Sequence, residues 1–190
     1  MLQITIKDNN LVFKTDPKLF SPLGLDEGTA AMLSLVEFAE GQRVLDLGCG
    51  YGIVGIVAAQ TVGEQNVVMV DRDPLAVQLA RENSVLNKVA KVSVYESDGF
   101  TNIPEVGFDL ILSNPPYHAD FSVPKAFIEK GFNRLVTGGR MYMVTKRHKW
   151  YKNKLIAIFG GVQITEVGGY YVFMAEKRST QFAKKRGRVE

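Results

Sequence analysis

Two aspartates and a cluster of glycines carry the first chemical signal in the chain. In Arg43-Val44-Leu45-Asp46-Leu47-Gly48-Cys49-Gly50-Tyr51-Gly52-Ile53-Val54-Gly55 a β-rich run leads into a glycine-rich turn and the start of a helix. Glycines let a ligand approach the backbone, and a helix start offers N–H groups that have no intrahelical partner. The spacing Gly50-x-Gly52-x-x-Gly55 fits a dinucleotide fingerprint, a pattern that is weak by itself. Asp46 argues against that reading. A carboxylate at the strand end repels a pyrophosphate, whereas it attracts the ammonium of an amino-acid-like ligand, directly or through water. Asp71 closes the next strand, where a carboxylate can accept hydrogen bonds from both hydroxyls of a ribose. Cys49, inside the turn, reads as a small packing residue rather than a nucleophile.

A second constellation, Asn114-Pro115-Pro116-Tyr117-His118, follows the β-rich residues 108–113. Two prolines remove two N–H donors and stiffen the chain, leaving carbonyl oxygens as acceptors beside the Asn114 side chain. In an open parallel sheet the carboxyl ends of the strands face the ligand crevice, so this segment is expected close to the glycine turn.

The elements that must position these groups are legible as a change of period. Residues 2–7 and 11–14 flank Asp8-Asn9-Asn10, which suits a hairpin. Strand-like runs at residues 43–47, 66–70, 91–95, 108–113 and 140–145 then alternate with helical segments, the pattern of a parallel sheet covered by helices. Asp73-Pro74 reads as an N-cap and first helical residue, with Leu75, Leu79 and Leu86 near one face and Ala76 and Ala80 beside them. A further helix is expected from about Ser122 to Gly138-Gly139. Residues 162–167 and 170–176 form two strand-like runs joined by Gly168-Gly169, which makes the last strand antiparallel. The fold class is therefore α/β, a Rossmann-like, mostly parallel seven-stranded sheet with helices on both faces and an N-terminal hairpin. The expected organisation is a hairpin extension at residues 1–19, one domain at 20–177 and a basic tail at 178–190.

A chain of 190 residues buries roughly 70% of the surface its unfolded form exposes, enough for a core without covalent staples. One cysteine and two histidines supply neither an internal disulfide nor a usual zinc site, so no metal is expected. The longest apolar stretch, residues 53–59, is far short of the ~20 that span a bilayer, and the start lacks the form of a secretory signal, so the expected compartment is the cytoplasm. Charge is uneven. Residues 177–190 hold six of the 23 Lys and Arg against one acid, and residues 146–154 hold five bases and no acid. Such runs read either as solvated faces or as contacts to phosphates.

Taken together, these motifs resemble the class I S-adenosylmethionine-dependent methyltransferases over about residues 20–177. The resemblance implies S-adenosylmethionine as cofactor, with Asp46, Leu47, Gly48, Cys49, Gly50 and Gly52 forming its loop and Asp71 its ribose acid. It also places Asp98 and Gly99, in Ser97-Asp98-Gly99-Phe100, at the adenine. Arg72 stands where an apolar residue is common; it either stacks on adenine or points to solvent. Asn-Pro-Pro-aromatic marks members that methylate planar amino groups, and implies Asn114, Pro115, Pro116 and Tyr117 as the catalytic segment. The exocyclic amine of a base is a poor nucleophile because its lone pair is delocalised into the ring. Acceptance of its two hydrogens by Asn114 Oδ1 and the Pro115 carbonyl lets the nitrogen pyramidalise toward the methyl group, and Tyr117 stacks on the base.

The branch most similar is the small-subunit ribosomal RNA guanine-N2 methyltransferases (RsmC-like). His118 extends the motif to Asn-Pro-Pro-Tyr-His. Phe20-Ser21-Pro22 with Leu25-Asp26-Glu27-Gly28-Thr29 resembles that branch's upstream segments, in which Gly28 and Thr29 approach the cofactor. Gly169-Tyr170-Tyr171-Val172-Phe173 with Ala175-Glu176-Lys177 resembles its end. The implied substrate is a guanine in RNA, ribosomal RNA or a small ribosomal subunit, touched by Tyr117, His118, Phe20, Lys146 and Arg147. Taken singly, His118 also reads as a local loop hydrogen bonder and Phe20 as core packing. The longer members carry two methyltransferase-like halves and this chain has one, so the basic runs are the candidates for choosing the substrate. Rival readings are methylation of adenine N6 or of a protein glutamine amide, an NAD-dependent oxidoreductase, and a catalytically inactive RNA-binding module.

Overall fold

The structure is a computed structural model describing residues 1–115 and 120–183. Two strands, β1 (Leu2–Ile6) and β2 (Asn9–Phe13), form an antiparallel hairpin whose turn is Lys7-Asp8, both with positive φ. The turn thus sits one residue earlier than the Asp8-Asn9-Asn10 of the sequence pattern. The remaining strands, β3 (Val44–Leu47), β4 (Val67–Asp71), β5 (Ser93–Glu96), β6 (Phe108–Ser113), β7 (Leu135–Thr145), β8 (Gln163–Val167) and β9 (Tyr170–Glu176), form one seven-stranded sheet. Its order is β5-β4-β3-β6-β7-β9-β8. Strands β3 to β7 pair in parallel, and β9 is antiparallel to both β7 and β8.

The chain steps outward from β3 through β4 to β5 and then returns to place β6 on the other side of β3. The carboxyl ends of β3 and β6 therefore meet at the point where strand order reverses, the place where open α/β sheets bind ligands. Successive residues of β3 face opposite layers. Val44 packs into a core formed with α1 (Glu27–Leu35), α2 (Ile53–Val62) and α3 (Pro74–Leu86), while Leu45 and Leu47 pack into one formed with α4 (Ser122–Arg134) and α5 (His148–Phe159). Burial on both faces explains why these strands read as nearly continuous apolar runs.

The hairpin is built into the first of these cores through Ile4, Leu11 and Phe13. Asn83, fully buried on α3, secures it. Its Nδ2 donates to the carbonyls of Lys14 (3.0 Å) and Tyr51 (2.9 Å), and its Oδ1 accepts from Lys14 N (2.7 Å). One amide thus joins the hairpin to the glycine turn. Asp73 caps α3 as its sequence predicts, accepting from Leu75 N at 2.9 Å. The buried face differs from the leucine pattern, because Leu86 is exposed and the inward positions are Ala76, Val77, Leu79, Ala80, Asn83 and Ser84.

The helix expected to run to Gly138-Gly139 ends at Arg134, whose guanidinium donates to the carbonyls of Ile103 and Glu105. Both glycines lie inside β7, at an irregularity in its register with β6. A Cβ on Gly139 would stand 2.9 Å from the Phe108 carbonyl oxygen, so close backbone approach, rather than helix termination, requires glycine there.

Candidate active site

At the carboxyl edge of β3, β4 and β6 lies a cleft of about 390 Å³. Its walls include the glycine turn, Asp71, Arg72, Ser97, Asp98, Gly99 and Asn114. Asp46 points toward α2. Its Oδ2 accepts from Gly55 N at 2.8 Å, and the residue is only 2% exposed. Burial pushes its carboxyl up to about 7; the Gly55 N–H opposes this, and the charge of Asp71 adds to it. Gly55 is glycine because α2 lies hard against the sheet: a Cβ there would meet Met69 Cγ and Sδ at 2.4 Å. Met69 is fully buried, so Gly55→Ala is expected to cost roughly 1–3 kcal/mol as overpacking, read as a lower urea midpoint.

The turn is shaped by acceptors on β4. Gly48 N and Cys49 N both donate to the Val70 carbonyl at 2.9 Å. Asp71 Oδ2 accepts from Gly50 N (2.9 Å) and its Oδ1 from Asp73 N (3.0 Å), so one carboxylate fixes both the turn and the entry to α3. Each oxygen keeps further acceptor capacity toward the cleft. Gly48, Gly50 and Gly52 all have positive φ, the conformation for which glycine is suited. Cys49 is buried, and burial together with the charges of Asp46 and Asp71 raises its thiol well above the ordinary range, an environment for packing and not for nucleophilic attack. On the far wall Asp98 is exposed, Gly99 has φ +59° and Phe127 lies under it. Arg72 is exposed and also borders the cleft.

Asn114 stands where β6 ends. Its Nδ2 donates to Asp26 Oδ2 at 2.7 Å and to Thr29 Oγ1 at 3.0 Å, which uses both N–H bonds. Its Oδ1 is buried and accepts no hydrogen bond among the described residues. A buried acceptor without a partner is uncommon and calls for an explanation; the residue that carries it borders the cleft. Pro115 is buried behind it. Pro116, Tyr117 and His118 lie outside the described residues.

The arrangement brings together Thr29, the turn from Asp46 to Gly50, Asp71, Arg72, Asp98, Gly99, Asn114 and, at the rim, Phe20, which is 54% exposed, whereas Gly52 packs against Ala80 and is not among the lining. Lys146 and Arg147 are exposed at the end of β7, beside β6 in the sheet, and are not among the cleft's lining. Lys146 Nζ lies 4.6 Å from the centroid of the Tyr170 ring. The Arg147 guanidinium lies 5.0 Å from that of Phe121, which stacks on Trp150 at 4.4 Å. Sequence reading missed the role of Asp26 and the lining residues Lys18, Tyr51, Val123 and Phe127. The available signal for Asp26 was its position as an N-cap, three residues before Thr29.

The sequence profile of the methyltransferase small domain matches residues 10–174. The chain belongs to the methyltransferase small-domain family. Uncharacterized protein YbxB of Bacillus subtilis is 30% identical to this methyltransferase over 178 residues, covering 90% of the chain and 89% of that protein. Ribosomal RNA large subunit methyltransferase G of Ectopseudomonas mendocina is 38% identical over 148 residues, 74% of this chain but 39% of that enzyme. Among solved structures, the Thermus thermophilus 16S rRNA N2 G1207 methyltransferase (RsmC), in complex with AdoMet and guanosine, superposes with a TM-score of 0.86 at 30% identity. It covers 93% of this chain and 50% of that one, so the chain spans half or less of the named ribosomal RNA enzymes. These likenesses make the protein a Rossmann-like, S-adenosylmethionine-dependent methyltransferase. The cleft's chemistry is compatible with that cofactor: it is lined by the buried carboxylate of Asp46, by Asp71 at the end of β4, and by Gly48 and Gly50 of the turn, both with positive φ.

Proposed function

We propose that the chain transfers the methyl group of S-adenosylmethionine to the exocyclic N2 amine of a guanine in RNA, with ribosomal RNA as the substrate class. The observation that carries this reading is the unpartnered Asn114 Oδ1 at the carboxyl end of β6. When bound, the cofactor supplies an electrophilic methyl carbon on a sulfonium. Asn114 Oδ1 and the Pro115 carbonyl then accept the two N–H bonds of the amine and free its lone pair. As the new N–C bond forms and the C–S bond breaks, positive charge grows on nitrogen, where those fixed acceptors stabilise it. The amine gives up one proton to solvent afterwards, and no general base is required. Asp46 holds the ammonium, Asp71 the ribose, and Asp98 with Gly99 the adenine. Guanine in RNA is supported by the likeness to enzymes named for ribosomal RNA over most of this chain.

The charged surface supports RNA as the partner and corrects which bases serve it. Lys154 is paired with Glu129, and Lys177 is buried, with its Nζ donating to the Leu135 carbonyl and lying over Phe132. Both are structural. Lys146 and Arg147, at the carboxyl end of β7, and Lys149 and Lys152, on α5, remain exposed, and residues 184–190 lie outside the described region. Lys146→Ala and Arg147→Ala are each expected to weaken RNA binding several-fold and lower the slope of log K against log salt by about 1, with cofactor affinity unchanged. Fluorescence anisotropy across a salt series reads this. The substrate class is tested with labelled S-adenosylmethionine offered undermethylated ribosomal subunits, transfer RNA, DNA and release factor. Label in RNA, on guanine N2 after digestion, is the expected result. Label only in DNA or protein overturns the reading in favour of adenine or a glutamine amide.

A further inference from the structure

We infer that Asp26 is a positioning residue for methyl transfer: its carboxylate fixes the orientation of the Asn114 amide so that Oδ1, and not Nδ2, faces the reacting amine. This rests on the acceptor role of Asn114 proposed above. An asparagine amide is nearly symmetric in shape but opposite in hydrogen-bonding sense at its two ends. Flipped, it would present N–H donors to the amine and abolish the acceptor. The fold supplies the discrimination. Asp26 ends the loop before α1, and its Oδ2 accepts from Thr29 N at 2.8 Å as the helix cap. The same oxygen accepts from Asn114 Nδ2 at 2.7 Å. An ionised carboxylate has no proton to donate, so only the NH₂ end of Asn114 can face it without two oxygens colliding. Thr29 Oγ1 takes the second N–H at 3.0 Å, so both are bound and Oδ1 is left over. One cap residue at the start of α1 thus sets the polarity of a side chain 88 positions away in sequence. The carboxylate also favours the amide resonance form that places negative charge on Oδ1, making it a stronger acceptor for the developing positive charge.

Two substitutions separate positioning from helix capping. Serine is a good N-cap but is neutral and too short to reach Asn114. Asparagine keeps an acceptor oxygen, and the Thr29 N–H holds that oxygen toward both partners. Asp26→Ser is expected to melt within a few degrees of the wild type and bind S-adenosylmethionine within about twofold, while kcat on the RNA substrate falls at least about tenfold with KM little changed. Asp26→Asn is expected to stay within about threefold of the wild-type kcat. A Ser variant with wild-type kcat overturns the inference, and an Asn variant as slow as the Ser variant overturns the orienting hydrogen bond in favour of charge alone. The free protein gives an arm independent of activity. In a ¹⁵N–¹H correlation spectrum, the side-chain NH₂ pair of Asn114, assigned by its loss in Asn114→Ala, is expected to be non-equivalent and slow to exchange with water. It is expected to remain so in Asp26→Asn and to collapse toward free-amide positions in Asp26→Ser. An unchanged pair in the Ser variant overturns the positioning role, whereas absence of methyl transfer to RNA by the wild type defeats the proposed substrate and leaves this arm standing.

Discussion

Asn114→Ala is expected to lower kcat by about 10² to 10³ while leaving S-adenosylmethionine affinity within about twofold. The split follows from where the side chain is used. Its two donors are spent on Asp26 and Thr29, and the remaining polar atom, Oδ1, is the acceptor proposed for the amine. The cofactor's ammonium, ribose and adenine are assigned to Asp46 on β3, Asp71 on β4 and Asp98 in the loop after β5, none of them on β6. Removing Asn114 leaves no buried donor stranded, and Asp26 Oδ2 still caps α1 through Thr29 N. The fold and the cofactor site should therefore survive. Asn114→Asp is expected to be no better than the alanine variant, although it restores two acceptor oxygens. It would place a second carboxylate within hydrogen-bond range of Asp26, and two such groups cannot both ionise without a large penalty. Single-turnover rates at saturating cofactor, with calorimetric titration of S-adenosylmethionine, read both effects. A wild-type rate in the alanine variant would remove the acceptor from the mechanism.

The contrast between what was legible and what was not is physical in origin. Asp46, the glycine turn, Asp71 and the Asn-Pro-Pro segment are read easily because each is a local pattern: a strand end followed at once by the group it presents. The mostly parallel sheet follows from the alternation of period, whereas the strand order, with β6 returning beside β3, is set by long-range pairing that no local pattern carries. Asn83 and Asp26 escape such reading because their partners are remote. Asn83 is a polar residue on an apolar helix face that matters only because Lys14 and Tyr51 come to meet it. Asp26 looks like an ordinary helix cap until Asn114 arrives beside it. Gly138-Gly139 mimics a helix end because glycine serves both a positive φ and a close backbone approach, and only the neighbouring Phe108 carbonyl distinguishes the two. The run from Lys146 to Lys154 reads as a uniform basic patch; in the fold only its part from His148 onward is in α5, where Lys154 turns toward Glu129, and the other four bases are exposed.

Asp46→Asn is expected to stabilise the free protein and to reduce its affinity for S-adenosylmethionine by at least about 10². The carboxyl of Asp46 titrates at about 7 in the folded chain because burial penalises its charged form, against roughly 3.9 for an aspartate in unfolded chain. Between these values the folded state holds a proton that the unfolded state has released. The stability of the free protein therefore falls as pH rises from about 4 to about 7 and levels off above that. At about 1.4 kcal/mol for each pH unit in the window, ionised Asp46 costs the free protein a few kcal/mol at pH 8. Asparagine has the same shape and can still accept from Gly55 N, so it keeps the turn without that cost. Without a negative charge for the ammonium, it forfeits an attraction worth about 4 kcal/mol at 4 Å in a medium of effective dielectric 20, which is the origin of the affinity loss. In the wild type the same ionisation makes cofactor binding tighten as pH rises, by about tenfold from pH 6 to pH 8, while the variant should show no such slope. Melting temperatures from pH 4 to 8 and calorimetric titrations at pH 6 and 8 read both halves of the trade. A variant that melts lower at pH 8, or binds the cofactor as tightly as the wild type, would show that Asp46 serves the turn and not the ligand.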